Sequence, residues 1–400
     1  MSLPIQVKTG NVAPAITLSD VVEIASTSAQ VLANVRTTML APDTSKLSPH
    51  FSAAQLATLC GVEKSTITYH LNQNPHGLPT GSVTGGNRKR IFSLPEAIAW
   101  VKQFAGFEQR PADAPAFVWA SGNFKGGVTK TTTALAVAQG LSLRGKKGLI
   151  IDVDPQGSMT SLFGMIPDSQ IAETDTVVPY LAGGPDAPTD LRYAIRRTYW
   201  EGIDLIPSCS SLFAVEFIMP TRQMHEKQFR FWNTMRKGIE PLLYEYDFII
   251  FDTPPALSYL TTSVFFAADG IIMPIPPSPL DFASSTQFWG LFSDLCNEMS
   301  KRADTEAPKE YQFINVLITL SEQTTSARIT KEWIDMAYGK HVLRVEIPKA
   351  EASRAAAALF GTVYDNTASR ETNKVREAYD TLCETLDQQM NTYWNKWRDS

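Results

Sequence analysis

The chain has 400 residues, of which 44% are hydrophobic and 19% charged, and it carries a formal net charge of −5. This length predicts more than one globular domain, and the negative balance excludes a protein coated in positive charge while allowing local contacts with DNA. The absence of an 18-residue apolar run and of a signal-like N-terminus, together with four widely spaced cysteines, predicts a cytoplasmic protein with reduced thiols and no membrane-spanning helix.

The N-terminal arm, residues 1–46, contains a predicted amphipathic helix from about Ser19 to Leu40. Its apolar residues recur at helical spacing and include Val21, Ile24, Val31, Leu32 and Val35. This apolar stripe either packs on the next domain or forms a contact between two copies of the chain.

Residues 47–106 contain the pattern of a helix-turn-helix. Ala57, Gly61 and Ile67 stand where that motif needs a small residue, a left-handed turn and a core residue. The second helix, from about Lys64 to Asn72, carries polar side chains that can reach phosphates and base edges. The candidate DNA contacts on this helix are Lys64, Ser65, Thr66, Thr68 and Tyr69.

A basic hairpin follows this helix pair. Turn residues at 85–87 lead into Arg88, Lys89 and Arg90, which is typical of the wing of a winged helix-turn-helix domain that lies along the DNA backbone. The alternative is an interaction-only helical module with an exposed basic turn. Proline-rich residues 107–116 predict a linker to the last domain, residues 117–400.

Residues 125–132 read KGGVTKTT, between a predicted strand at 117–120 and a predicted helix at 131–139. The usual phosphate-loop spacing G-x-x-x-x-G-K-[ST] fails, because Phe124 and Thr129 occupy its glycine positions, but the pattern K-G-G-x-x-K-[ST]-[ST] fits. In such a loop, backbone N–H groups surround phosphates and Lys130 contacts the β- and γ-phosphates. The predicted nucleotide contacts are Lys125, Gly126, Gly127, Val128, Thr129, Lys130, Thr131 and Thr132.

Carboxylates end two further predicted strands, at 148–151 and 248–251. An open parallel sheet binds its ligand at the carboxyl ends of its strands, so these carboxylates are expected beside the phosphate loop. Asp252 is predicted to hold Mg²⁺ through water, with the Thr131 hydroxyl as a ligand and Asp152 supporting the metal shell.

The loop and these carboxylates resemble the ParA/MinD family of P-loop ATPases, whose phosphate loop is called the deviant Walker A box. The resemblance implies an α/β fold with a mostly parallel sheet flanked by helices, and ATP or ADP with Mg²⁺ as ligands. It also implies that Asp154 positions the attacking water and that Lys125 reaches the nucleotide of the other subunit. An ATP-bound homodimer is therefore expected. Thr129 stands where most relatives carry glycine.

The order of arm, winged domain and ATPase domain resembles the larger ParA-type plasmid partition proteins, and more closely the RepA partition ATPases of repABC-like replicons. Further matches lie at residues 197–207 and 280–288. The resemblance implies slow ATP hydrolysis stimulated by a ParB-type centromere-binding partner, nonspecific DNA binding in the ATP state, association with the nucleoid, and autorepression through specific operator binding.

The same resemblance places nonspecific DNA contacts among basic residues late in the chain: Arg328, Lys331, Lys340, Arg344, Lys349 and Arg354. It also exposes a difference, because Thr319 stands where many relatives carry an adenine-reading asparagine.

Three other functions are alternatives to the interpretation as a partition ATPase. A MinD-like membrane-cycling ATPase would need a basic amphipathic tail, whereas the aromatic tail at 393–398 has acidic residues nearby. An iron–sulfur ATPase would need cysteines beside Asp154 or Asp252, where the sequence has none. A repressor with a vestigial nucleotide site is disfavoured by the intact Lys130, Asp154 and Asp252.

Overall fold

The computed structural model describes residues 16–39, 46–84, 89–302, 309–349, 362–365 and 370–398. The chain divides into two units, residues 1–46 and 47–400. In the first unit, helix α1 spans Leu18–Met39, close to the predicted helix. The side chains of Leu32 and Val35 lie outside the described part of the chain, so the role of the apolar stripe stays a prediction.

The second unit begins with three helices and a small sheet: β1 (Phe51–Ser52), α2 (Ala53–Cys60), α3 (Lys64–Gln73), β2 (Ser82–Thr84), β3 (Lys89–Phe92) and α4 (Leu94–Phe104). The three strands are antiparallel in the order β1-β3-β2. A capping box at Ser52 starts α2, and Gly61 ends it with φ 65°, a left-handed conformation that glycine adopts without strain. Ile67, Phe92 and Trp100 are buried in a shared core that orients α3 against α2 and α4.

An eight-stranded sheet forms the centre of the rest of the unit, in the order β11-β10-β9-β4-β8-β5-β7-β6. Its strands are β4 (Phe117–Ser121), β5 (Gly148–Asp152), β6 (Arg196–Arg197), β7 (Ile203–Ile206), β8 (Phe248–Asp252), β9 (Gly270–Ile275), β10 (Phe313–Ser321) and β11 (Val342–Pro348). All neighbouring pairs are parallel except β6 and β7.

Helices cover both faces of this sheet. They are α5 (Lys130–Leu143), α6 (Ser158–Leu162), α7 (Val178–Ala182), α8 (Val215–His225), α9 (Phe231–Ile239), α10 (Tyr259–Ala267), α11 (Pro279–Arg302), α12 (Thr325–Tyr338) and α13 (Arg370–Trp394). Every residue of β4, β5, β8 and β9 is buried, as expected for parallel strands covered on both faces. A side chain at Gly148 would lie 2.1 Å from the Phe248 ring, so close strand packing requires glycine there.

The segment predicted as a linker is held firmly against the large sheet domain. Arg110 pairs with Asp247 at 3.1 Å, and the buried Lys146 ammonium donates to the Glu108 carbonyl. The Trp394 indole N–H donates to the Pro115 carbonyl at 3.0 Å. These contacts order residues 107–116 despite their proline-rich composition, so the DNA-binding candidate and the sheet domain form one compact unit.

Aromatic residues of the C-terminal tail pack on the protein itself. Tyr393 and Trp394 are buried, and Tyr393 meets the Phe117 ring edge-on with centroids 5.1 Å apart. Among the residues that the structure describes, no helix is long and apolar enough to cross a bilayer.

Candidate functional site

The phosphate loop joins the carboxyl end of β4 to the first turn of α5. Gly127 and Thr129 both have a left-handed backbone, with φ of 76° and 75°. This conformation is free for glycine but costs about 1–2 kcal/mol for a residue with a Cβ, so Thr129 is a strained position. Its hydroxyl lies 3.3 Å from the Thr133 hydroxyl on α5, a contact that the sequence did not predict.

Lys130 is buried at the start of α5, only 7% exposed. Its ammonium donates to the Lys125 carbonyl at 2.9 Å. Burial lowers the pKa of Lys130, while the charges of Asp252 and Asp154 oppose that shift. A buried cation held mainly by a neutral carbonyl can exchange that partner for a phosphate oxygen, as predicted for Lys130.

Asp252 ends β8 directly opposite Asp152 at the end of β5. Its carboxylate is fully buried, and neither oxygen accepts a hydrogen bond of normal geometry from the described residues. Burial and the neighbouring Asp152 raise the pKa of Asp252 well above its ordinary value, although the nearby Thr131 hydroxyl and Lys130 ammonium offset part of this effect. A buried carboxylate with open acceptor sites fits the oxygen ligands that Mg²⁺ prefers.

Asp152 has a different environment, because both of its oxygens are occupied. One accepts the Thr160 hydroxyl and amide at 2.7 and 2.9 Å, and the other accepts the Asp154 amide at 3.1 Å. Burial raises the pKa of Asp152 to about 7. This carboxylate therefore stabilises the loop after β5. Any effect of Asp152 on a bound metal would be indirect, through the position of that loop. The sequence did not predict the role of Thr160, because this residue belongs to no recognisable motif.

Asp154 is half-buried on the loop after β5. One carboxylate oxygen accepts the Gln156 amide at 2.9 Å, and the Asp154 carbonyl accepts the Ser208 hydroxyl at 2.6 Å. These bonds fix the turn from both sides and leave the carboxylate at the edge of the cleft, near Lys130. The position suits a group that orients a water molecule beside the phosphates.

Lys125, the first lysine of the loop, makes contacts within its own chain. Its ammonium lies 2.7 Å from a carboxylate oxygen of Asp281, in the first turn of α11. Its backbone amide donates to the Asn123 side chain at 3.1 Å, and Asn123 donates to the Pro274 carbonyl at the end of β9 at 2.9 Å. Sequence reasoning missed Asn123 and Asp281 as neighbours of Lys125; the helix start at residues 278–281 after a buried strand was the available signal.

Thr319 is fully buried at the end of β10, and its hydroxyl donates to the Val128 carbonyl at 3.1 Å. This side chain therefore supports the phosphate loop from the side opposite Asp252. The next residue, Leu320, has φ of 50°, a left-handed conformation that is unusual for leucine.

The candidate DNA contacts of α3 differ in exposure. Lys64, Ser65, Thr68 and Tyr69 are exposed and Thr66 is half-buried. In the hairpin, Lys89 is exposed, whereas the Arg90 guanidinium donates to the Thr80 carbonyl and so supports the hairpin. Arg88 lies outside the described residues.

The late basic residues differ in their surroundings. Three of them pair with carboxylates: Arg328 with Glu332 at 2.8 Å, Lys331 with Glu346 at 2.6 Å, and Lys349 with Glu322. Lys340 and Arg344 are exposed, and the described part of the chain offers them no ion pair within 4.0 Å. Arg354 lies outside the described residues. Among the described late basic residues, Lys340 and Arg344 are therefore the exposed cations that no described carboxylate pairs with.

Comparisons with known proteins agree with this geometry. The domain family AAA_31, described as an AAA domain, matches residues 117–304. Protein SopA of Escherichia coli (strain K12) is 30% identical over 313 residues, which cover 76% of this chain and 77% of SopA.

Two solved structures share the fold. One, described as a partition protein, has a TM-score of 0.63 at 18% identity and covers 90% of this chain and 98% of its own. Cobyrinic acid a,c-diamide synthase from Mycobacterium smegmatis, with bound ADP and magnesium, has a TM-score of 0.52 at 26% identity, covering 68% of this chain and 94% of the synthase. The predicted P-loop fold with a mostly parallel sheet is confirmed, and homologous structures hold ADP with magnesium. On the similarity to SopA, the chain belongs to the family of ParA-type partition ATPases.

Proposed function

We propose that this protein segregates DNA by an ATP-dependent cycle in which two copies close around two bound ATP molecules. The observation that carries the proposal is the separation of the two loop lysines. Lys130 points inward, near Asp252 and Asp154, whereas Lys125 points outward to the edge of the site at Asp281. A second, outward cation is not needed to bind a nucleotide in one chain, but it can offset the repulsion between two ATP molecules in one interface.

Hydrolysis would depend on five side chains with different roles. Lys130 would stabilise charge on the β- and γ-phosphates, and Asp252 with Thr131 would hold Mg²⁺, which neutralises phosphate charge when bound. Asp154 would orient the water that attacks the γ-phosphorus, so that the bond to the bridging oxygen breaks and ADP and phosphate form. Lys125 would complete the site of the second copy. ATP turnover would be slow and stimulated by a ParB-type partner. Slow hydrolysis would set the lifetime of the ATP-bound dimer, whereas a metabolic enzyme needs fast turnover.

We expect the Mg²⁺-dependent part of ATP binding to strengthen as the pH rises from about 6 to about 8. Burial raises the pKa of Asp152 to about 7 and that of Asp252 well above its ordinary value. Because Mg²⁺ favours ionised carboxylates, protons leave on binding, and affinity rises by up to about tenfold per pH unit for each proton released. Titrations with ATP in Mg²⁺ and in EDTA, repeated at each pH, measure the difference.

The variant Asp152→Asn removes one titrating group and keeps the side-chain shape, but its amide nitrogen cannot replace a carboxylate oxygen that accepts a backbone amide. Its fold and its ATP affinity in EDTA are therefore measured as well. Its profile should be flatter than that of the natural protein. A Mg²⁺-dependent affinity that stays constant over the same pH range would contradict the assignment of Asp252 as the metal-binding carboxylate.

We propose that residues 47–106 form a winged helix-turn-helix domain that binds an operator and represses the protein's own operon. Support comes from the exposed polar side chains of α3 and from the antiparallel pairing of β2 with β3, where Lys89 is exposed. The ATP-bound dimer would hold random DNA through a second surface that includes Lys340 and Arg344. On this view the protein has two separate DNA activities and associates with the nucleoid.

Replacing Arg88, Lys89 and Arg90 together with alanine should weaken operator binding while ATP-dependent binding to random DNA stays close to normal. The dependence of log K on log salt should flatten by up to about 0.9 for each phosphate contact removed. Fluorescence anisotropy with operator and random duplexes, over a salt series, measures both effects.

Two controls sharpen this experiment. Arg90→Ala alone should act mainly through hairpin stability, because Arg90 is bonded to the Thr80 carbonyl, whereas Lys89→Ala should act through the salt slope. The pair Lys340→Ala and Arg344→Ala should show the reverse selectivity and weaken random DNA binding alone. A parallel loss of both activities in the hairpin variant would mean that the two DNA surfaces are wrongly assigned.

A further inference from the structure

Asp281 lies where the chain turns from β9 into α11, at the edge of the nucleotide site. Its carboxylate is only 9% exposed. One oxygen accepts the Ser278 hydroxyl, and the other lies 2.7 Å from the Lys125 ammonium. The Asp281 amide in turn donates to the Ser278 hydroxyl at 3.3 Å. A carboxylate in the first turn of a helix is also favoured by the partial positive charge of that helix end.

The phosphate loop is fixed to α11 at a second point beside this ion pair. The Phe124 ring packs edge-on against Phe288 of α11, with centroids 4.8 Å apart. The Lys125 carbonyl is held by the Lys130 ammonium, and its amide by Asn123. The backbone around Lys125 is therefore held in place, and the direction of its side chain depends on Asp281.

An ion pair that is buried on one side resists separation, because removal of the lysine leaves a desolvated carboxylate without its cation. The Asp281 carboxylate neutralises the Lys125 ammonium and holds it within its own chain, so this pair competes with contact to a nucleotide in a second copy. We infer that Asp281 is a positioning residue that holds Lys125 within its own chain and thereby sets the ATP concentration at which two copies close. This inference rests on the proposed dimer. It adds that the ion pair between Lys125 and Asp281 has to break before the dimer forms.

The test uses Asp281→Asn in the full chain, with Asp281→Glu as the conservative variant. Asn keeps the shape and the contact with Ser278 but loses the charge. The ATP concentration for half-maximal dimer formation, measured by analytical ultracentrifugation, should fall about three- to tenfold in Asp281→Asn and stay near that of the natural protein in Asp281→Glu. Affinity for ATP under conditions that keep the chain monomeric should change less than about twofold, because Lys130 and Thr131 are unaffected.

A second measurement follows the ion pair without any dimer. Labelling of lysine amines by limiting acetic anhydride, in the absence of nucleotide, should be severalfold faster at Lys125 in Asp281→Asn, with the exposed Lys64 as internal reference. Should Asp281→Asn fold poorly, Ser278→Ala removes the hydroxyl that orients the carboxylate and should act in the same direction, more weakly.

The outcomes separate the inference from the proposed function. A dimerisation threshold that is unchanged or raised in Asp281→Asn, in a folded variant, would overturn the inference. Unchanged Lys125 labelling would do so as well, because the pair would then not exist in solution. If the natural protein fails to dimerise at any ATP concentration, the proposed function is wrong and no dimerisation threshold exists. The labelling result still decides whether Asp281 holds Lys125.

Discussion

Replacing Asp154 with alanine should leave ATP binding near that of the natural protein and reduce hydrolysis by about two to four orders of magnitude. Binding is expected to survive because Lys130, Asp252 and the loop amides do not depend on the Asp154 side chain. Hydrolysis is expected to fall because Asp154 is the half-buried carboxylate at the cleft beside Lys130. ATP-bound dimers should consequently persist. Nucleotide affinity and turnover should be measured in the same preparation.

Asp154 also accepts the Gln156 amide, so the loss of turnover has to be separated from a change in the loop. Asp154→Asn is the matched control, because its carbonyl can still accept that amide while its charge is gone. Similar losses of turnover in both variants, with the fold and ATP affinity kept, would assign the effect to the carboxylate. Lost ATP binding with unchanged turnover per bound ATP would instead make Asp154 a structural or metal-shell residue.

The strands and the phosphate loop could be predicted from the sequence, because their signals are local. The predicted strands at 117–120, 148–151 and 248–251 each occur in the structure and extend by one residue. Continuous runs of buried apolar residues, followed by glycine or aspartate, reflect a parallel sheet covered on both faces. The second helix of the helix-turn-helix pattern was also placed within one residue of its observed end.

The partners of the loop lysines could not be predicted, because they come together only through the topology of the sheet. Asp281 follows Lys125 by more than 150 residues, and the two meet since β9 lies beside β4. The same limit applies to the late basic residues, because Lys331 on α12 pairs with Glu346 on β11. The linker shows the converse case, in which proline-rich composition predicted a spacer but Arg110 and Trp394 contacts fix it to the sheet domain.

Lys125→Gln should still bind ATP as a monomer but fail to dimerise or hydrolyse it, whereas Lys130→Gln should lose nucleotide binding itself. The difference follows from their positions. Lys130 is buried in the cleft, and Lys125 reaches outward to Asp281. An arginine finger at a phosphoryl-transfer site is worth about 10³–10⁵ in rate, and a similar contribution from Lys125 would make the loss of hydrolysis nearly complete. Binding by fluorescent nucleotide, dimerisation and turnover measure the three properties separately.

Mixing two inactive variants decides whether Lys125 acts in the partner's site. A Lys125→Gln subunit keeps Asp154, and an Asp154→Ala subunit keeps Lys125. If Lys125 acts in trans and one such lysine is enough to close the mixed dimer, the lysine of the Asp154→Ala subunit completes the ATP site of the Lys125→Gln subunit. One competent site per mixed dimer then restores part of the ATPase activity. If Lys125 acts only on its own nucleotide, each site in the mixed dimer lacks one of the two groups. A mixture that forms mixed dimers with ATP but stays as inactive as either variant alone would therefore contradict the two-copy ATP site.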